Sequence, residues 1–309
     1  MTEKIPRAAI AVYLLLALAL AVQVLVPDAQ RQAAADAGAF LGVLVLLAIL
    51  FTAGLVFQKK DARAVTDIVT VIAVILVLWE ILLGKLSLLD PLLFPGPAQV
   101  FQVFVSDWQL MLYGAVGSLG IMATGYILAL ALAIPLGLYI GWRRRLYDVA
   151  YPIAKAVSPI PPTVYLPYAI VLLPTFAASS VFLIFIGAFW PILVGTIYGV
   201  FAVDHRIINS ARTLGLSDHQ MVRRILLPGA MPSIFSGAMI SLIMAFISIT
   251  VAEMIAATSG LGWYIEYNHQ FANYDKVIAG MILIALVVIG VMFIFDRIQR
   301  HCLRWQQAE

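Results

Sequence analysis

Charge and cysteine are both scarce in this chain. Only 11% of its 309 residues are Asp, Glu, Lys or Arg, where a soluble domain carries about a quarter. That excludes a fold with water on every side. The 63% hydrophobic content and mean hydropathy of +1.01 point instead to an integral membrane protein whose surroundings are lipid and its own helices. The single cysteine, Cys302, excludes an internal disulfide and a thiolate metal cluster. Histidine is sparse too: His205, His219, His269 and His301 are widely spaced, with no H-x-x-x-H or H-E-x-x-H pattern to hold a metal. No G-x-S-x-G elbow presents a nucleophile. The Gly84-Lys85 pair is followed by Leu86 and has Trp79 five residues before the glycine, so both flanking requirements of a phosphate-binding P-loop fail. The expectation is a chain that is not an enzyme and binds no cofactor or nucleotide of its own.

What the sequence does hold is long apolar runs. A run of ~20 apolar residues crosses a bilayer as a helix. Eight are expected, at 8–26, 38–57, 68–84, 110–141, 156–174, 180–203, 233–257 and 277–295. The uncharged stretch 156–203 is too long for one span and is divided near Pro174. The first run is long for a signal-peptide core and no convincing small-x-small cleavage site precedes a soluble domain, so it is expected to stay as a span. Eight spans put both termini on one side. Segments on that side hold sixteen of the 19 Lys and Arg residues, leaving Arg31, Lys85 and Lys276 on the other. By the positive-inside rule both termini are cytoplasmic. The same bias explains the pI of 9.0 without nucleic acid as a partner.

One charged island interrupts the apolar runs: "NSARTLGLSDHQMVRRILLPGAMPSI", residues 209–234. Asp204 suits the N-cap of a helix from His205, and Gly215 the left-handed position past its end. Ser217 and Gln220 form a capping-box pattern for a second helix, which Pro228 is expected to close, with Pro232 opening the next span. Ile207, Ile208, Ala211 and Leu214 make one apolar stripe; Met221 and Ile225 make another. Such stripes pack on the protein's own helix ends or dock into a partner, and the spacing alone leaves both open.

Gly215, nine intervening residues and then "ILLP" (225–228) reproduce the G-x9-I-x-L-P spacing of the EAA loop. On that spacing the chain resembles the permease subunits of binding-protein-dependent ABC importers. "VAEMIAATSGLGWYI", the final "FDRIQRHCLRW", and upstream "FPGPAQVFQV", "SPIPPTVYLP" and "GAFWPILVGT" resemble the branch importing nitrate, bicarbonate, sulfonates and taurine, over about residues 93–305. There are departures. Asn209-Ser210-Ala211 stands where the family has Glu-Ala-Ala, and Ile121 where an Arg is common.

The resemblance implies an all-α membrane protein with a type I importer core. Residues 64–309 form the permease domain, with a coupling helix at about 205–227, and residues 1–63 form a two-helix extension outside the resemblance. It implies a place in a bacterial inner membrane and a second permease copy, most simply identical. Its other implied partners are cytoplasmic ATPase subunits and an extracytoplasmic substrate-binding protein. It puts Asn209, Ser210, Ala211, Arg212, Leu214, Gly215, Ile225 and Pro228 against the ATPase, and implies import of a small oxyanion or sulfonate such as taurine or nitrate. A secondary carrier driven by an ion gradient is the alternative, but no inverted repeat with broken helices is visible.

Two acidic residues lie within expected spans. Glu80 sits near a span end and is expected to snorkel to water. Glu253 is deeper. Carboxylates in spans are costly and face a cavity or a partner. Glu253 is expected either to hold its span to a neighbour, through Thr250, Ser248 or Thr258, or to border the translocation path near its outer gate.

Overall fold

The computed structural model describes residues 7–27, 36–57 and 62–305, and among them there is no strand. Lys4, Arg31, Lys59 and Lys60, which contribute to the sidedness expectation, lie outside the described residues. Six helical runs are long and apolar enough to cross a membrane: Gly38–Val56, Ala62–Lys85, Trp108–Trp142, Phe176–Phe201, Asp218–Ala256 and Tyr274–Cys302. Ala9–Leu25 is apolar but shorter. The all-α transmembrane architecture is therefore as expected.

The difference lies at 156–174, where no span forms. A helix ends at Val157, a 3-10 turn covers Pro162–Tyr165, and a helix of 7 residues, Leu166–Leu172, follows. Taken together as one apolar helix, Pro162–Leu172, they rise about 15–20 Å, short of the ~30 Å hydrocarbon core. Pro159, Pro161 and Pro162 before the 7-residue helix and Pro174 just after it are the cause. Each lacks the N–H that would continue the helical ladder.

The chain divides into two compact units. The first is Met1–Leu112 with Ile265–Leu283, and the second is Tyr113–Tyr264 with Ile284–Glu309. In the first unit lie α1 (Arg7–Leu25), α2 (Gly38–Phe57), α3 (Ala62–Trp79) and α4 (Pro97–Ser106). On α1, Ala9, Val12, Leu16, Ala19 and Gln23 recur at helical spacing and all are buried, while Leu14 and Leu18 on the other side are exposed. The buried stripe packs with Phe40 and Leu44 of α2 and with Val69, Ala73 and Leu76 of α3. Phe40 also stacks on Phe101 of α4, ring centroids 5.7 Å apart. The exposed faces are what a lipid environment requires, since only the contact stripe needs a protein partner.

A π-helical turn, Glu80–Lys85, ends α3. It overturns the expectation for Glu80, which does not snorkel. Glu80 is 1% exposed, and its Oε1 lies 3.3 Å from Lys85 Nζ, itself buried. Lys85 Nζ donates to the backbone carbonyl of Gln23 (3.3 Å). The Gln23 carboxamide, with its NH2 turned toward the carboxylate, donates to Glu80. The compensation that a snorkelling carboxylate takes from water comes here from a lysine and from α1.

The second unit holds α5 (Trp108–Trp142, from Tyr113 onward), α6 (Arg144–Val157), α7 (Leu166–Leu172), α8 (Phe176–Phe201), α9 (His205–Thr213), α10 (Asp218–Met221) and α11 (Leu227–Ala256). The division falls inside α12 (Leu261–Gln270) and α13 (Tyr274–Cys302). Its core joins Met122, Tyr126 and Ala129 of α5 with Ile184, Ala188 and Ile192 of α8 and Ala238, Leu242 and Ala245 of α11. α8 and α11 approach closely. A Cβ added to Gly237 would sit 2.6 Å from the Pro191 carbonyl oxygen, and one on Gly195 would sit 2.8 Å from that of Ser233. Small residues at such crossings let backbones pack where lipid supplies no hydrophobic drive. The Tyr126 hydroxyl reinforces the core by donating to the Ala238 carbonyl (2.8 Å).

Candidate functional site

The charged island folds as a short helix, a tight turn and the foot of a long helix. α9 starts at an Asp204 cap whose Oδ1 accepts from Arg206 N–H (2.7 Å). It ends at Gly215, with φ +74°. Leu216 N–H donates to the Ala211 carbonyl (3.3 Å) and Gly215 N–H to that of Arg212 (2.9 Å). This is the paired hydrogen bonding of a Schellman turn, which satisfies carbonyls a helix end leaves bare. The chain then enters α10 through a complete capping box. Ser217 Oγ accepts from Gln220 N–H, and the Gln220 side chain accepts from Ser217 N–H.

Pro228 does not close a helix, contrary to the sequence expectation. α10 runs through a π-turn, Val222–Leu226, directly into α11, so that Asp218–Ala256 is one helical run. The wide turn is the reason. Leu227 N–H reaches back five residues to Val222, which resets the ladder just before the proline. Pro228 then occupies a first-turn position, where no N–H is needed.

The expected apolar stripe on α9 splits in two. Ile208 and Ala211 are buried against Met221, Leu226, Ala230 and Ile234 below, together with Val200 of α8 and Leu138 of α5. Ile207 and Leu214 face outward, 53% and 79% exposed. Of the residues expected to meet a partner, Asn209, Ser210, Arg212, Leu214 and Gly215 lie on this exposed side. Ala211 is buried, and Ile225 and Pro228 are half-buried in the base.

Two contacts that sequence reasoning missed join the island to the end of α5 and to Arg143, the N-cap of α6. The Arg212 guanidinium lies over the Trp142 ring, 5.3 Å from its centroid, and Arg143 reaches Asp218 at 3.6 Å. Neither follows a spacing rule, because each joins residues distant in the chain.

Glu253 lies on the same helical run as the island, 25 residues beyond Pro228 and so ~38 Å along the axis. It is 1% exposed. Its partners are not Thr250 or Ser248, whose hydroxyls bond carbonyls of their own helix at Phe246 and Met244. Ser118 Oγ on α5 donates to Glu253 Oε1 (2.6 Å), and Gly262 N–H donates to Oε2 (2.8 Å). Leu261 N–H donates in turn to Ser118 Oγ (3.0 Å). The carboxylate also borders a mostly apolar crevice lined by Leu119, Met122, Phe246, Ile249 and Ile284. So it ties its span to neighbours, through partners other than those expected.

The model of the family described as the binding-protein-dependent transport system inner membrane component matches residues 133–306, more than half the chain. The chain belongs to this family. The match takes in the island, the whole of α11 and Glu253. The permease is similar to the taurine transport system permease protein TauC of Escherichia coli K12. The two are 30% identical over 252 residues, which cover 79% of this chain and 91% of TauC. It is 34% identical over 242 residues to the nitrate import permease protein NrtB of Synechocystis, covering 73% and 83% of the two chains.

Among solved structures it resembles the inward-facing MetNI methionine ABC transporter. The TM-score is 0.54 at 22% identity, over 64% of this chain and 98% of that one. That likeness establishes a type I ABC importer permease fold. The permease is a multi-pass inner-membrane protein of the nitrate, sulfonate and taurine branch.

Proposed function

We propose that this permease forms the translocation path of an ABC importer for a small oxyanion or sulfonate, such as taurine or nitrate. Its island would be the coupling helix on which separate cytoplasmic ATPase subunits pull. The observation that carries this reading is the island's construction. An exposed tip, Ile207 and Leu214 beside Gly215, stands on a base buried among the ends of α5, α8 and α11. A tip that must pass force into spans needs such a base, and a merely solvated loop does not. ATP-driven closure of the ATPases then draws the islands of two permease copies together, and the spans rock as rigid bodies between two states of access. A binding protein on the other face delivers substrate.

Sidedness follows from the charge bias, with both termini cytoplasmic. Residues 64–309 make the permease domain and residues 1–63 an added pair of helices. The family match lies wholly within the former. Two findings support the anion class. The relatives compared are named for taurine and nitrate, and every described lysine and arginine of the second unit is exposed. No described cation of that unit is buried, which suits a system whose binding protein selects the anion. Glu253, beside the apolar crevice, borders that path near its outer end.

Gly215→Asp is the test. Open space surrounds Gly215, but its φ of +74° strains any Cβ, by ~1 kcal/mol or more, and a carboxylate at the tip must be desolvated on docking. The variant is expected to insert normally, to lose co-purification of the ATPase, and to lose uptake. Wild-type expression with the ATPase still bound and uptake intact would show the island to be a solvated loop.

A further inference from the structure

Every α-helix leaves its first N–H groups without partners inside the helix. In α12 those of Leu261 and Gly262 are capped from elsewhere. Gly262 N–H is taken by Glu253 of α11, and Leu261 N–H by Ser118 of α5, whose hydroxyl also bonds Glu253. The residue before α12 cannot supply a cap: Gly260 has no side chain and a φ of +120°. Nor can it be larger, because a Cβ there would coincide with the Glu253 carboxyl group. The start of α12 is therefore built around a side chain of the preceding helix.

That helix is also the island's helix. From Asp218 to Ala256 the run is unbroken, so the foot of the island and Glu253 sit ~50 Å apart on one rod. We propose that Glu253 is the positioning residue through which displacement of the island reaches α12, with Ser118 securing the same junction to α5. The proposal rests on the coupling role argued for the island. The tether works by hydrogen bonding. A carboxamide keeps both links with one reversed: its oxygen accepts from Gly262 N–H and its NH2 donates to Ser118 Oγ, which in the parent donates to Glu253.

The test uses the permease purified with its ATPase, with Ser259→Cys in a Cys302→Ser background. Ser259 is exposed in the turn between α11 and α12. Its rate of maleimide labelling is measured without nucleotide and after trapping with ATP and vanadate. In the parent the two rates are expected to differ by about tenfold, within the range of coupling between distant sites. In Glu253→Ala and in Ser118→Ala the ratio should fall to about one, with the ATPase still bound and hydrolysing ATP. In Glu253→Gln it should stay near the parent value.

A Gln variant as unresponsive as the Ala variant overturns the tether, since charge would then be what matters. Ala variants that keep the parent ratio overturn it as well. So does a parent that binds the ATPase yet labels alike in both states, and that outcome leaves the permease reading standing. A parent that binds no ATPase overturns both.

Discussion

Glu80 and Glu253 are buried to the same extent, each 1% exposed, yet they are satisfied by opposite means. Glu80 faces a lysine five residues along and a glutamine from another helix. Glu253 accepts hydrogen bonds from a hydroxyl and a backbone amide. The first arrangement is electrostatic, and its charges must be removed together or not at all. The second is a cap, and it needs an acceptor of the right shape rather than a charge. Both hold helices together in a setting without water, but they should fail differently.

The largest effect is expected from splitting the ion pair. Lys85→Met or Glu80→Gln leaves one buried charge uncompensated, which costs about 3–5 kcal/mol. Thermal unfolding of the detergent-solubilised protein should show a large drop in midpoint for either. The double variant Glu80→Leu/Lys85→Met should recover most of it, because an apolar pair of similar volume is often neutral. A double variant no better than the singles would mean that α1 needs the charges for its seat on α3.

Gln23→Ala comes next. It removes the amide facing Glu80 but leaves the lysine, at about 1.5–3 kcal/mol for a hydrogen bond to a charged group. Ser118→Ala removes the donor to the Glu253 carboxylate and the acceptor of Leu261 N–H, and should cost about 1.5–3 kcal/mol in the same assay. The smallest change is expected from Glu253→Gln, under about 1 kcal/mol. That substitution is the sharpest contrast of all, since the same Glu→Gln exchange should be severe at Glu80 and mild at Glu253. Equal effects at the two positions would erase the distinction.

The parts of the molecule that obey local rules were legible in the sequence. The long spans follow from apolar length, and the ends of α9 and α10 from Asp204, Gly215 and the Ser217–Gln220 box, since caps and turns are set by residues a few positions apart. Proline accounts for the two departures. At 156–174 composition alone reads as a span, although Pro159, Pro161 and Pro162 withhold donors that a continuous helix needs and Pro174 follows the end of α7. At Pro228 the ladder is already shifted by a π-turn that ends two residues upstream.

The candidate site was legible at its tip and hidden at its supports. Ile207 and Ile208 look equivalent in the sequence, yet one is exposed and the other buried. What decides between them is where the ends of α5, α8 and α11 lie. Trp142 beneath Arg212 and Ser118 beside Glu253 are joined to their partners across 70 and 135 positions. No periodicity in one chain reveals such pairs.

The close packing of α8 and α11 has a mechanical consequence. It is not one crossing point: a Cβ on Gly199 would meet Ala230 and Ser233, one on Gly237 would meet Pro191, and one on Gly187 would meet Ser248, while Leu183 packs with Ala252 farther along. Contact spread along two rods resists tilting of one against the other. The pair is therefore expected to swing as a single plank, carrying the island's foot and Glu253 together.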